Sequence, residues 1–247
     1  MTVEMRVVTA LEKIIPSRAK SRSISSSTGR KMSPFCMSLA EQGFAVVNFT
    51  YRLAPKHKFP AQLEDTNAVF CWLLRDAETY GFDTARVFAV GDSAGAHLLG
   101  LYSCICTNPA YAARFAFSPP EGFAPRALAL NCGVYEVKMG DKKDLTATLM
   151  ADYLPRKGTE EELALNSVIR NATKDFPASF VMTCEGDTVA EQAPPLVKRL
   201  EELGAAVEYH YYGDKEHVLG HVFHCNVRSA DAQACNRDEC AYFKRFC

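Results

Sequence analysis

With 247 residues, 48% of them hydrophobic and 23% charged, the chain has an ordinary globular composition and enough length to bury one sizeable core. A formal net charge of -1 gives no electrostatic case for a nucleic-acid partner. No apolar run approaches the roughly 18 residues of a membrane span, and Met1 to Ile15 shows neither an apolar signal region nor a cleavage site.

Taken in order, the chain offers little regular structure before Phe35, a strand at Ala10 to Ile15 being the most that the pattern supports. Residues 16–33 hold seven serines, five basic residues and no acid, too little apolar surface to order themselves, so a mobile loop is expected there. A helical turn from Phe35 leads through Gly43 into Phe44 to Tyr51, a nearly continuous β-prone run suited to a buried parallel strand. Pro60 starts an amphipathic helix to about Tyr80, ended by Gly81. Further strands are expected at 86–90, 126–131, 178–184 and 206–212, and helices at 94–107, 189–203 and 230–246, with Pro194-Pro195 marking the true start or a kink of the second of these. Segment 134–176, with short helical patches, follows a strand's C-terminal end and reads as a lid or pocket wall over the crevice where such sheets bind ligands. Strands and helices alternate throughout, which argues for one α/β domain over 1–247: a mainly parallel sheet with helices on both faces.

Ten cysteines are present, and Cys71, Cys104, Cys106, Cys132 and Cys184 fall inside expected helices or strands, where free cysteine acts as a small hydrophobe. They argue for a reducing compartment, the cytoplasm. His217, His221, His224, Cys225, Cys235 and Cys240 cluster near the C-terminus, but their spacing matches no common structural zinc site, so no metal is expected.

The centre of the sequence is Gly91-Asp92-Ser93-Ala94-Gly95, between an apolar β-prone run and a helical pattern. A strand that reverses into a helix within about one residue strains the central serine and admits only small residues at minus two and plus two. The hydroxyl then projects above the sheet edge, and the Ala94 N–H, at a helix N-terminus, is placed to stabilise an oxyanion. A serine hydroxyl needs a histidine to take its proton and an acid to hold that histidine's tautomer. Asp187, just past a strand, meets the requirement for the acid, with Asp214 second. His217 and His221 both follow the last strand, and position alone does not separate them. His57 and His97 read as a loop residue and a packed helix residue, and Glu64 and Asp65 as anchors of nearby loops.

Tyr51-Arg52-Leu53-Ala54-Pro55, Phe59-Pro60-Ala61 with Leu63-Glu64-Asp65, and the Ser93 pentapeptide together resemble the hormone-sensitive-lipase-like carboxylesterases of the α/β-hydrolase fold. The resemblance runs from about Phe35 to the C-terminus. It implies hydrolysis of small, short-acyl esters through an acyl-enzyme, with no cofactor; a homodimer is the one protein assembly kept open. It also implies that Asp187, in Glu185-Gly186-Asp187, is the acid. His221, in His221-Val222-Phe223, is favoured as the base, with valine where the family has glycine. The family's His-Gly-Gly-Gly oxyanion loop has no counterpart; stretch 16–33 stands in its place, and the N-terminal strands and cap are expected to be truncated.

Overall fold

The computed structural model describes residues 5–11, 23–25, 34–137 and 145–247. In chain order the early elements are β1 (Met5–Leu11), β2 (Ser23–Ser25), α1 (Pro34–Glu41), β3 (Phe44–Phe49), α2 (Ala61–Arg75) and α3 (Ala77–Tyr80). The central ones are β4 (Phe82–Asp92), α4 (Ala94–Thr107), α5 (Pro109–Ala112), β5 (Ala127–Asn131), α6 (Leu145–Tyr153), α7 (Glu160–Leu165) and α8 (Val168–Asn171). The chain closes with β6 (Ala178–Cys184), α9 (Ala193–Glu202), β7 (Val207–Tyr212) and α10 (Ala230–Lys244).

Alternation along the strands decides the architecture. Val47, Phe49, Val87, Ala89, Leu128, Leu130 and Val181 face one side of the sheet and pack with Leu63 and Phe70 of α2, Leu98 and Leu101 of α4 and Leu196 of α9. Their neighbours Phe44, Val46, Phe88, Val90, Ala129, Phe180 and Met182 face the other side, against Phe35 and Leu39 of α1 and Cys235 and Phe243 of α10. Strands apolar on both faces must be covered twice, which is why helices occupy both sides. Phe88 stacks on Phe243 at 4.9 Å between ring centroids, and burying each such ring contributes on the order of 1.5–3 kcal/mol.

The sheet has seven strands in the order β2-β3-β1-β4-β5-β6-β7. The pairs β4·β5, β5·β6 and β6·β7 are parallel, so the C-terminal ends of β4, β6 and β7 share one edge. The N-terminal segment contributes more than the sequence indicated. Instead of a strand at 10–15, Met5–Leu11 lies mid-sheet, antiparallel to both β3 and β4. Within stretch 16–33, expected to be a mobile loop throughout, Ser23–Ser25 pair in parallel with β3. The rest of that stretch lies outside the described residues. Short polar residues weakly signal a strand, and here the open edge of β3 supplies the pairing that propensity does not.

Segment 134–176 forms α6, α7 and α8, with 138–144 outside the described residues. It packs onto the helix behind Ser93 and onto α5: His97 of α4 lies 2.8 Å from the Asn166 carbonyl, Tyr111 of α5 donates to the Leu165 carbonyl at 2.6 Å, and Asn108 between them donates to that of Asn171 at 3.0 Å. The Phe59 N–H and the Lys58 ammonium donate to the carbonyls of Tyr153 and Ala151, tying α6 to the chain after β3.

Candidate active site

Ser93 lies between β4 and α4 with φ 55° and ψ -117°, a conformation sparsely populated by residues with a Cβ. The turn is so tight that a Cβ on Gly91 would meet the Gly95 carbonyl oxygen at 2.5 Å, which fixes glycine two residues before the serine. The Ser93 N–H donates to the Asn131 carbonyl at 2.8 Å, so the turn is tied to β5. Ala94 is the first residue of α4, and its N–H has no acceptor within the helix.

Asp187 is three residues past β6, and its buried side chain is held on several sides. Thr183 donates to Oδ2 at 2.6 Å and the Val189 N–H to Oδ1 at 3.1 Å. Its acid loop leans on the histidine loop: the Gly186 N–H donates to the Leu219 carbonyl at 3.0 Å. A methyl at Gly186 would collide with that same oxygen, so the approach of the two loops requires glycine there.

His221 follows β7 on the loop so gripped and reaches both groups. Its Nδ1 is 2.5 Å from Asp187 Oδ1 and its Nε2 is 2.9 Å from Ser93 Oγ. Burial works to raise the Asp187 pKa, but hydrogen bonds from His221, Thr183 and the Val189 N–H outweigh it and hold the carboxyl below its ordinary value. An ionised carboxylate only accepts, which puts the ring proton on Nδ1 and leaves Nε2 free to accept from the Ser93 hydroxyl.

The two alternatives are engaged elsewhere. His217 is exposed, 3.0 Å from Asp231 Oδ1, and Asp214 accepts from the Glu216 and His217 N–H groups at 2.8 Å each. His97 is buried with Nε2 2.8 Å from the Asn166 carbonyl, and burial lowers its pKa; it packs, as expected. Asp65 and Glu64 bind Arg52, whose N–H and guanidinium reach Asp65 at 2.7 and 2.8 Å and Glu64 at 2.7 Å. They therefore anchor the loop after β3. Cys71 is exposed on α2, against the expectation of burial, whereas Cys104, Cys132 and Cys184 are buried. Its flank of α2 faces away from the sheet, which helical periodicity alone left open.

Sequence reasoning missed Thr183 and a second buried pair, Asp92 with His224, whose Oδ1 and Nε2 lie 2.8 Å apart. Asp92 was in view inside the pentapeptide, but nothing local pointed to a partner 132 residues away. Two groups of side chains, Asp92 with His224 and Cys225, and Cys132 with Asp187 and His221, each bring three ligand-type atoms within 4.8 Å of one another. In both, the histidine is already hydrogen-bonded to the carboxylate, so a cation would have to break a made pair.

A family profile described as alpha/beta hydrolase fold matches residues 24–221. Among curated proteins, the chain is 27% identical over 172 residues to "Esterase LipC" of Mycobacterium tuberculosis, covering 66% of this chain and 41% of that protein. It is 26% identical over 203 residues to "Carboxylesterase NlhH" of the same species, covering 78% and 61%. "Ethyl acetate hydrolase" of Pseudomonas putida is 41% identical over 186 residues, covering 70% and 55%. The chain thus spans between 41% and 61% of these relatives' lengths. Among solved structures, Esterase B from Lactobacillus rhamnosis superposes with a TM-score of 0.78 at 23% identity, covering 91% of this chain and 74% of that one. At that identity the likeness concerns the fold.

Proposed function

We propose that this chain, which belongs to the alpha/beta hydrolase fold family, hydrolyses small, short-acyl carboxylic esters through an acyl-enzyme on Ser93. The observation that carries the reading is the unbroken chain of hydrogen bonds from Asp187 through His221 to Ser93, at 2.5 and 2.9 Å. His221 Nε2 takes the Ser93 proton as Oγ attacks the ester carbonyl, and Asp187 holds the ring and stabilises the imidazolium that forms. The tetrahedral intermediate collapses as the imidazolium protonates the leaving alcohol. Water, deprotonated by the same nitrogen, then releases the acid and restores Ser93. The Ala94 N–H, at the N-terminus of α4, supplies an oxyanion donor. Segment 134–176, bound to α4 and to Lys58-Phe59, serves as the pocket wall or lid.

The relatives' names, esterase, carboxylesterase and ethyl acetate hydrolase, support an ester as substrate. The missing His-Gly-Gly-Gly run predicts slow turnover, because losing one oxyanion donor costs about 2.7–4 kcal/mol in the barrier. That same feature favours the second reading, a hydrolase fold that binds a small molecule without turning it over. Hydrolysis of p-nitrophenyl esters from acetate to octanoate, run beside Ser93→Ala and His221→Ala, separates the two. Activity abolished in both variants supports the esterase, with a rate profile peaking at short chains. Equal inactivity of folded wild type and Ser93→Ala leaves the binding protein.

A further inference from the structure

We propose that the buried Asp92–His224 pair is a clamp that sets the distance between Ser93 and His221, making both of its members positioning residues for the reaction. The inference rests on the Ser93–His221–Asp187 reading above. Asp92 is the last residue of β4 and immediately precedes Ser93; His224 follows His221 by three residues, in the turn Phe223–Cys225. Their 2.8 Å contact therefore joins the strand end that carries the nucleophile to the loop that carries the base. The Cys225 thiol, 3.8 Å from Asp92 Oδ2, is a weaker link between the same two segments, which Ser93 and His221 also join.

The surroundings hold the clamp rigid from several elements. Asn131 of β5 donates to Glu239 of α10 at 2.8 Å and lies 3.5 Å from both Asp92 Oδ1 and His224 Nε2. Asn236 of α10 donates to the His224 carbonyl at 3.1 Å, and Phe35 of α1 meets the His224 ring edge-on at 5.1 Å. A buried charged pair is a weak source of stability, since packed apolar residues of the same volume serve as well or better. What it adds is fixed geometry. That geometry is needed here, because Val222, next to His221, is held at φ 54°. A β-branched residue there favours relaxation of the loop, and relaxation would carry His221 away from Ser93. A displacement of about 1 Å at a catalytic group is enough for roughly a 100-fold loss of rate.

The test uses the full chain with Asp92→Asn, which keeps shape and removes charge, His224→Gln, and the double variant. For p-nitrophenyl acetate, kcat is expected to fall roughly 10- to 100-fold in each single variant while KM stays within about twofold. Labelling of Ser93 by a fluorophosphonate should slow by the same factor, and the double variant should be no worse than the poorer single one, as expected for two halves of one device. Circular dichroism and thermal melts establish that the variants are folded. Folded variants that melt earlier yet keep wild-type kcat and labelling rate overturn the proposal and leave a structural pair. So does failure of Asp92→Asn and His224→Gln alike to fold. A wild type no more active than Ser93→Ala overturns the triad reading instead, and this inference with it.

Discussion

Asp187–His221 and Asp92–His224 are built from the same two residue types, with their histidines three residues apart on one loop, yet they sit in opposite circumstances. The His221 side chain is 19% exposed and offers a nitrogen to Ser93, whereas that of His224 is 0% exposed and turns its Nε2 to Asp92. For His224, burial alone would depress the pKa, but the adjacent Asp92 charge, then Cys225, overcome it and push the value up to about 10. On the proposed mechanism the partly accessible His221 passes a proton, whereas the enclosed His224 keeps one. Chemistry follows from the third partner and the access to solvent, not from the Asp–His combination.

The largest effects should come from cutting the Asp187–His221 pair away from the serine. Ser93→Ala and His221→Ala are each expected to reduce kcat on the order of 10⁴-fold or more, to the background seen without enzyme. Asp187→Asn should come close behind, about 10⁴-fold, because an amide in that place admits the wrong tautomer of His221. Steady-state kinetics on p-nitrophenyl butyrate checks all three; substantial activity in His221→Ala would move the base elsewhere and break the contrast between the pairs.

The buried pair should announce itself through pH instead. His224 is held at about 10 in the folded protein against roughly 6.5 when free, so the folded state binds its proton more tightly. Its contribution to stability is complete below about 6.5 and is lost as the pH rises through about 10. Thermal melts across that window should show a Tm that declines in wild type, with His224→Gln removing most of the decline. Asp187 has the opposite sense. Its lowered value stabilises the fold above the ordinary carboxyl range and is lost on acidification below it.

A smaller effect should follow Thr183→Val, which removes the 2.6 Å bond to Asp187 while keeping the shape of the side chain. Hydrogen bonds to charged groups contribute roughly 1.5–3 kcal/mol, and denaturant melts should register a loss of that order. The smallest belongs to Val222→Gly. Relief of the left-handed backbone gains about 1–2 kcal/mol, and losing a half-buried isopropyl group returns roughly 1 of it, for a net stabilisation below about 1 kcal/mol. Urea melts that showed clear destabilisation would mean the valine side chain matters more to the loop than its backbone conformation.

The order of elements from α1 onward was legible because hydrophobic period and turn residues agree along most of it: β6 spans 178–184 as read, and Pro194-Pro195 stand in the first turn of α9. The pentapeptide was legible because the strain at Ser93 and the approach of Gly91 to Gly95 are local, imposed within five residues. Asp187 was readable as the carboxylate that leaves a strand end, and its side chain lies 2.5 Å from His221. The choice between His217 and His221 was not readable from position, since both follow β7 within nine residues. It was the parallel register of β6 and β7, with the Gly186 to Leu219 contact, that brought His221 to Asp187 and left His217 with Asp231.

Sequence by itself thus determined most of the elements from α1 onward, the serine turn and the kinds of group that surround it, because each depends on residues within a turn or two. Tertiary structure alone decided that His224 meets Asp92 and that Met5–Leu11 enters the middle of the sheet. Those outcomes depend on contacts between segments tens to more than a hundred residues apart. Their geometry is set by the closing of the sheet and its two helical layers, and no local pattern records it.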